Sequence, residues 1–198
     1  VLFPDKSQKL KWKIPSTDGN PITQVGFSIE SDEANSGSLI LNYLTFTGEP
    51  NCKFSKPNHI GKHKRGVKFS NAKMWKASWV DALDKWDSGE RTFRVCKDRG
   101  RGMLITGTDL WKNYKVTSDI AIQRVKTGGL AARVQGLNRY YGLVISASNK
   151  LQLIKVINEP KVLKEIDFDL EYYKDYKLSL KVEDNKLSGY LDNKVVLE

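Results

Sequence analysis

The chain has 198 residues, 39% hydrophobic and 28% charged, with a net charge of +10 and two cysteines. That apolar content fills one large core or two small ones and excludes wholesale disorder. It leaves no framework of several disulfides, no CxxC metal spacing, and no apolar run near the roughly 18 residues of a membrane helix.

In chain order, period-two alternation dominates, the mark of strands with one buried face. Residues 22–29 and 38–46 alternate, separated by a turn rich in Ser, Asp, Asn and Gly. A helical spacing of aromatics occurs only at 73–86, where Trp75, Trp79, Leu83 and Trp86 share a face; the same stretch also reads as an irregular entry to a sheet. Further strands are predicted at 102–107, 114–123, 129–135, 140–146, 151–157, 162–168, 176–182, 186–191 and 194–197. Short, evenly spaced strands with polar turns predict an all-β sandwich. The edge left by 194–197 leads us to expect one or two further strands after Glu198.

Residues 51–70 interrupt this pattern with Pro57, Gly61 and Gly66 among lysines and histidines. We therefore expect closing strands of a first sandwich over 1–50, a basic linker or long loop over 51–78, and a second sandwich over 79–198. The linker carries much of the positive charge, including Lys62-His63-Lys64-Arg65. Such a cluster can touch phosphates, but few aromatics accompany it, so a solvated loop or a contact with an acidic partner domain is favoured over nucleic acid. His59 and His63 have the i, i+4 spacing of a helical zinc site, which Pro57 and Gly61 oppose.

Several segments, in this order, resemble a known arrangement. Gln24–Glu30, Gly37–Leu44 and Gly48-Glu49-Pro50 look like the end of a galactose-binding-like jelly roll. Trp79-Val80-Asp81-Ala82, Asp98–Ile105, Gly107–Tyr114, Ala131–Gln135, Arg139–Leu143 and Leu187–Asp192 look like a concanavalin A-like, laminin G-like sandwich. Together they resemble the C-terminal accessory region of some bacterial ADP-ribosylglycohydrolase-family proteins. The resemblance implies a concanavalin A-like antiparallel β-sandwich (jelly roll) preceded by strands of another. It implies an accessory module beside an enzyme domain rather than a catalytic domain, with other domains of the parent chain as partners and carbohydrate or an ADP-ribose-like group as ligand.

The residues themselves point to one hairpin. A four-residue loop at 136–139 would pair Gln135 with Tyr140 and Arg133 with Gly142. Arg133, Gln135 and Tyr140 would then share a face, with open space over Gly142. A guanidinium, an amide and a phenol around a gap suit vicinal hydroxyls; the same set also stabilises a hairpin without any ligand. Trp79 and Trp86 are candidate stacking rings, whereas Trp111 reads as core. Glu165, Asp167, Asp169 and Glu171 alternate like a glycosidase strand, but their spacing fits a solvated acidic edge better. Three functions follow: a binding module, a structural spacer without a small ligand, and a glycoside hydrolase. Neither a metal site nor a cofactor is expected, and the compartment is not legible.

Overall fold

The computed structural model describes residues 6–15, 22, 25–28, 36–45, 50–54, 79–88 and 93–198. The chain divides into two compact units, 1–30 with 52–78 and 31–51 with 79–198. His59, His63, the 62–65 basic cluster and Trp75 lie outside the described residues.

Among the described residues every regular element is a strand. From residue 79 onward the second unit opens with two small ladders. β1 (Val80–Asp81) pairs with β4 (Leu104–Ile105), and β2 (Lys85–Ser88) pairs with β3 (Phe93–Cys96). The helical alternative for 73–86 is thus overturned where it can be seen, since 80–81 and 85–88 are extended and paired. Two larger antiparallel sheets follow. One runs in the order β12 (Lys194–Leu197), β11 (Lys186–Leu191), β10 (Asp175–Glu183), β5 (Tyr114–Ala121). The other runs β6 (Thr127–Ala132), β7 (Arg139–Ser146), β8 (Lys150–Ile157), β9 (Glu159–Asp167).

These sheets face each other across a single core, as a sandwich requires. β10 contributes Tyr176, Leu178, Leu180 and Val182, and the facing strands contribute Leu143, Ile145, Leu151 and Leu153. Leu143, Ile145, Leu151, Leu178, Leu180 and Val182 are wholly buried. Each such side chain contributes roughly 1.5–3 kcal/mol relative to exposure. Gly189 of β11 lets the sheets approach: a Cβ there would lie 2.8 Å from Leu143 Cδ1 of the opposite sheet. The predicted strands from 114 onward are therefore observed, with ends shifted by a few residues.

The turns follow side-chain chemistry. β11 and β12 are joined by Asp192 and Asn193, both left-handed at φ 49° and 67°. Asp and Asn tolerate that conformation, which a two-residue hairpin with the right twist demands.

Residues 22–29 and 38–46 differ from expectation. Their described parts, 22, 25–28 and 38–45, belong to no strand. Leu39, Ile40, Leu41, Tyr43 and Leu44 are all exposed, Ile40 at 79%. Consecutive side chains are open rather than every second one. Alternation forms a strand only where a neighbour takes up the backbone N–H and C=O groups.

Candidate functional site

The sandwich has two ends. At the first converge the approach to β5, the β6–β7 turn, the β8–β9 turn and the β10–β11 turn. At the second lie the β5–β6, β7–β8, β9–β10 and β11–β12 connections.

Two arginines organise the first end. Arg133 ends β6 because its backbone turns left-handed, φ 49°. Its N–H donates to the Tyr114 hydroxyl at 2.6 Å. Its guanidinium donates through Nε to the Lys112 carbonyl at 3.0 Å and through one terminal nitrogen to the Asp184 carbonyl at 2.7 Å. The other terminal nitrogen reaches Asn113 Oδ1 at 3.3 Å. Asn113 in turn accepts from the Asp184 N–H at 2.9 Å and donates to the Asp184 carboxylate at 3.1 Å. Three loops are tied by one side chain, using three of the five N–H groups of the fork.

Arg101 does the same from the other side. One terminal nitrogen donates to Asn138 Oδ1 at 2.9 Å and the Asn158 carbonyl at 2.8 Å, and the other faces Glu159 at 3.6 Å. The β6–β7 turn is thus held at both of its ends. Within it the Gln135 N–H donates to the Arg139 carbonyl and the Arg139 N–H to Gly136. Gln135 and Asn138 are exposed on this braced turn.

The hairpin register corrects the sequence reading by two residues. Ala132 pairs with Tyr141 and Ala131 with Gly142, so Arg133 does not oppose Gly142. The space over Gly142 is also filled, since a Cβ there would lie 3.0 Å from Ile154. Tyr140 is half-buried against Val144, Ile154 and Val156 on the outer face of its sheet. Trp79 sits in a separate aromatic group, its ring 5.7 Å from Phe93, which stacks on Trp86 at 6.4 Å. Trp111 packs edge-on to Tyr114 at 6.2 Å beneath Gly107, in keeping with a structural role.

The acidic strand is paired rather than poised. Glu165 accepts from Gln152 at 2.7 Å and Asp167 from Lys150 at 2.6 Å, while Glu171 pairs with Lys174. The hydrogen bond from Lys150, and its charge, hold the Asp167 carboxyl below its ordinary value. A general acid needs the opposite shift. No group of three His, Cys, Asp or Glu suited to a metal occurs among the described residues. Cys52 and Cys96 are free and exposed.

The family model described as "Galactocerebrosidase, C-terminal lectin domain" matches residues 90–198, more than half of the chain. The chain belongs to this lectin-domain family. Among solved structures it is similar to the carbohydrate-binding module CBM66 from Bacillus subtilis, with a TM-score of 0.55 and 19% identity over 61% of this chain and 77% of that one. At that identity the likeness is one of fold. No curated protein matches the chain. Neither match names an ADP-ribosylglycohydrolase, so the resemblance holds only at the level of a lectin-like β-sandwich. Arg133, Gln135 and Tyr140 fall inside the lectin-domain match; Trp79 precedes it. Sequence reasoning placed Arg101 and Asn113 within the Asp98–Ile105 and Gly107–Tyr114 segments but missed their bracing roles, which they acquire only through distant partners.

Proposed function

We propose that this chain is a non-catalytic carbohydrate-binding module whose ligand sits on the loops at the first end. The observation that carries the reading is membership of a lectin-domain family. The geometry supports it further. Exposed Gln135 and Asn138 offer planar donors and acceptors on a turn braced from both sides. Groups already held in place lose little freedom on binding. In this reading Gln135 touches the sugar hydroxyls and Tyr140 supplies a ring edge. Arg133 is a positioning residue, because its fork is engaged with carbonyls of the loops. Trp79 belongs to the proposal as a separate stacking ring outside that turn.

A neutral sugar suits these loops better than an ADP-ribosyl group. A diphosphate calls for a guanidinium fork, and the two that brace the turn, Arg133 and Arg101, are directed at protein oxygens, while Arg139 stands exposed at its edge. A neighbouring enzyme domain, and the division into 1–50, 51–78 and 79–198, are part of the same proposal.

The test is a thermal-shift series against galactosides, arabinans, fructans, β-glucans and ADP-ribose. A ligand that binds the folded state raises Tm with its excess over Kd. The expected result is a shift with a neutral glycan that shrinks in Gln135→Ala, a variant of ordinary stability, and persists in Trp86→Ala. No shift with any of them would leave the chain a structural spacer.

A further inference from the structure

The second end holds a feature that the first-end reading does not use. The β9–β10 connection, residues 168–174, presents two adjacent tyrosines to solvent, Tyr172 at 50% and Tyr173 at 65% exposure. Tyr173 also has a left-handed backbone, φ 67°. For a bulky residue that is an outlier, and it persists only where the surroundings impose it.

The surroundings do impose it. The Tyr173 N–H donates to the Ile122 carbonyl at 2.9 Å, anchoring the loop to the β5–β6 connection. Beneath it the Tyr176 hydroxyl accepts from the Glu171 N–H at 2.9 Å and donates to the Asp169 carbonyl at 3.3 Å. Tyr176 is itself buried and packs edge-on to buried Phe168 at 4.9 Å. The loop is therefore rigid at its base, with its two largest apolar side chains left outside. A fold seeking stability alone would place Gly or Asn at position 173, since both adopt this backbone freely. Keeping a tyrosine there trades stability for an exposed ring, a trade typical of binding surfaces.

We propose that Tyr172 and Tyr173 form a second carbohydrate platform, on which the apolar face of a neutral glycan ring stacks. The proposal rests on the reading of the chain as a carbohydrate-binding module and adds a location at the opposite end. A tyrosine supplies a flat apolar surface and a hydroxyl at its tip, matching a sugar ring that is apolar on its face and polar at its rim. The charges beside the rings are mixed, with Glu171 paired to Lys174, which favours a neutral ligand over an anionic one. Two sites at opposite ends would let one module hold two chains, or two points of one chain, and gain avidity.

The experiment compares wild type with Tyr173→Gly and Tyr173→Phe. Binding is measured against galactosides, arabinans, fructans and β-glucans by affinity electrophoresis, and stability by thermal unfolding. Fluorotyrosine labelling reports on the rings directly. The platform predicts that Tyr173→Gly is at least as stable as wild type yet loses roughly five- to tenfold in glycan affinity. Tyr173→Phe keeps most of the affinity, and the fluorine signals of positions 172 and 173 move on titration. A glycan bound with unchanged affinity by Tyr173→Gly, with both signals unmoved, overturns the platform and leaves the carbohydrate-binding reading standing. Failure of every glycan to bind the wild type overturns that reading and the platform with it.

Discussion

The two ends of the sandwich solve one problem, fixing loops over a small core, with different chemistry. At the first end, Arg133 and Arg101 reach across separate loops and hold carbonyls that would otherwise need water. At the second, a single buried phenol, Tyr176, holds one loop from below, and an exposed ion pair finishes it. A guanidinium can join three segments because its donors diverge in a plane, whereas a hydroxyl serves only neighbouring groups. The first end is thus stiff as a whole and presents amides. The second is stiff locally and presents rings.

Perturbing the shared core should erase the difference between the ends. Leu180 lies at the middle of β10, wholly buried between both. Leu180→Ala should cost about 2–5 kcal/mol in urea unfolding. Amide exchange should quicken at 108–113 and at 168–174 alike; quickening at one end alone would mean that the sandwich does not unfold as one unit.

Arg133→Lys comes next. The charge stays, but the fork that spans three loops is lost, and about 1–3 kcal/mol should go with it. Exchange should accelerate at 112–114 and 184 and stay slow at 171 and 173. Equal acceleration at both ends would show that the arginine supports the core rather than one end.

Tyr176→Phe should act in mirror image and more weakly. Removing the hydroxyl leaves the ring packed on Phe168 and frees the Glu171 N–H and the Asp169 carbonyl, at about 1 kcal/mol. The 168–174 loop should loosen while the arginine-held loops remain protected. Unchanged exchange at 171 would argue that backbone contacts alone hold that loop.

The smallest effect is electrostatic. Asp167 is held below its ordinary pKa by Lys150, chiefly through their hydrogen bond. A depressed carboxylate stabilises the fold fully above its ordinary value, and that contribution is lost as pH falls through the lowered one. Asp84 behaves in the same way through the Asp98 N–H and Lys97. Carboxyl NMR titration should place both below free aspartate. Lys150→Gln should return Asp167, but not Asp84, toward the ordinary value; no movement of Asp167 would remove Lys150 as the cause.

How far the sequence reveals this differs along the chain. From Tyr114 onward, alternation and turn residues place nearly every strand, because strands such as β8 and β10 turn one face to the core and each strand has a paired neighbour in its sheet. The same alternation misleads at 38–46, where no partner strand pairs with it among the described residues. It is silent at 80–81, too short to show a period, and it overruns at 102–107, where only 104–105 is paired. The hairpin that drew attention is present, in a different register. Alternation says which side chains share a face, not where the chain leaves the extended region, and here Arg133 leaves it early. Arg101 is legible as a turn residue but not as a brace, since its partners lie 36 to 57 residues away. The left-handed backbone of Tyr173 has no sequence signal at all: tyrosine is an unexpected residue for that position.

The measurement that bears most directly on the account is backbone NMR mapping of a saturating neutral glycan on the wild-type chain. The account predicts that perturbed amides gather in the end loops, at 133–140 above all and at 171–174 if the tyrosine platform is occupied, with the strand centres quiet. A glycan that saturates while perturbing only strand faces, or the failure of any glycan to bind, would contradict it.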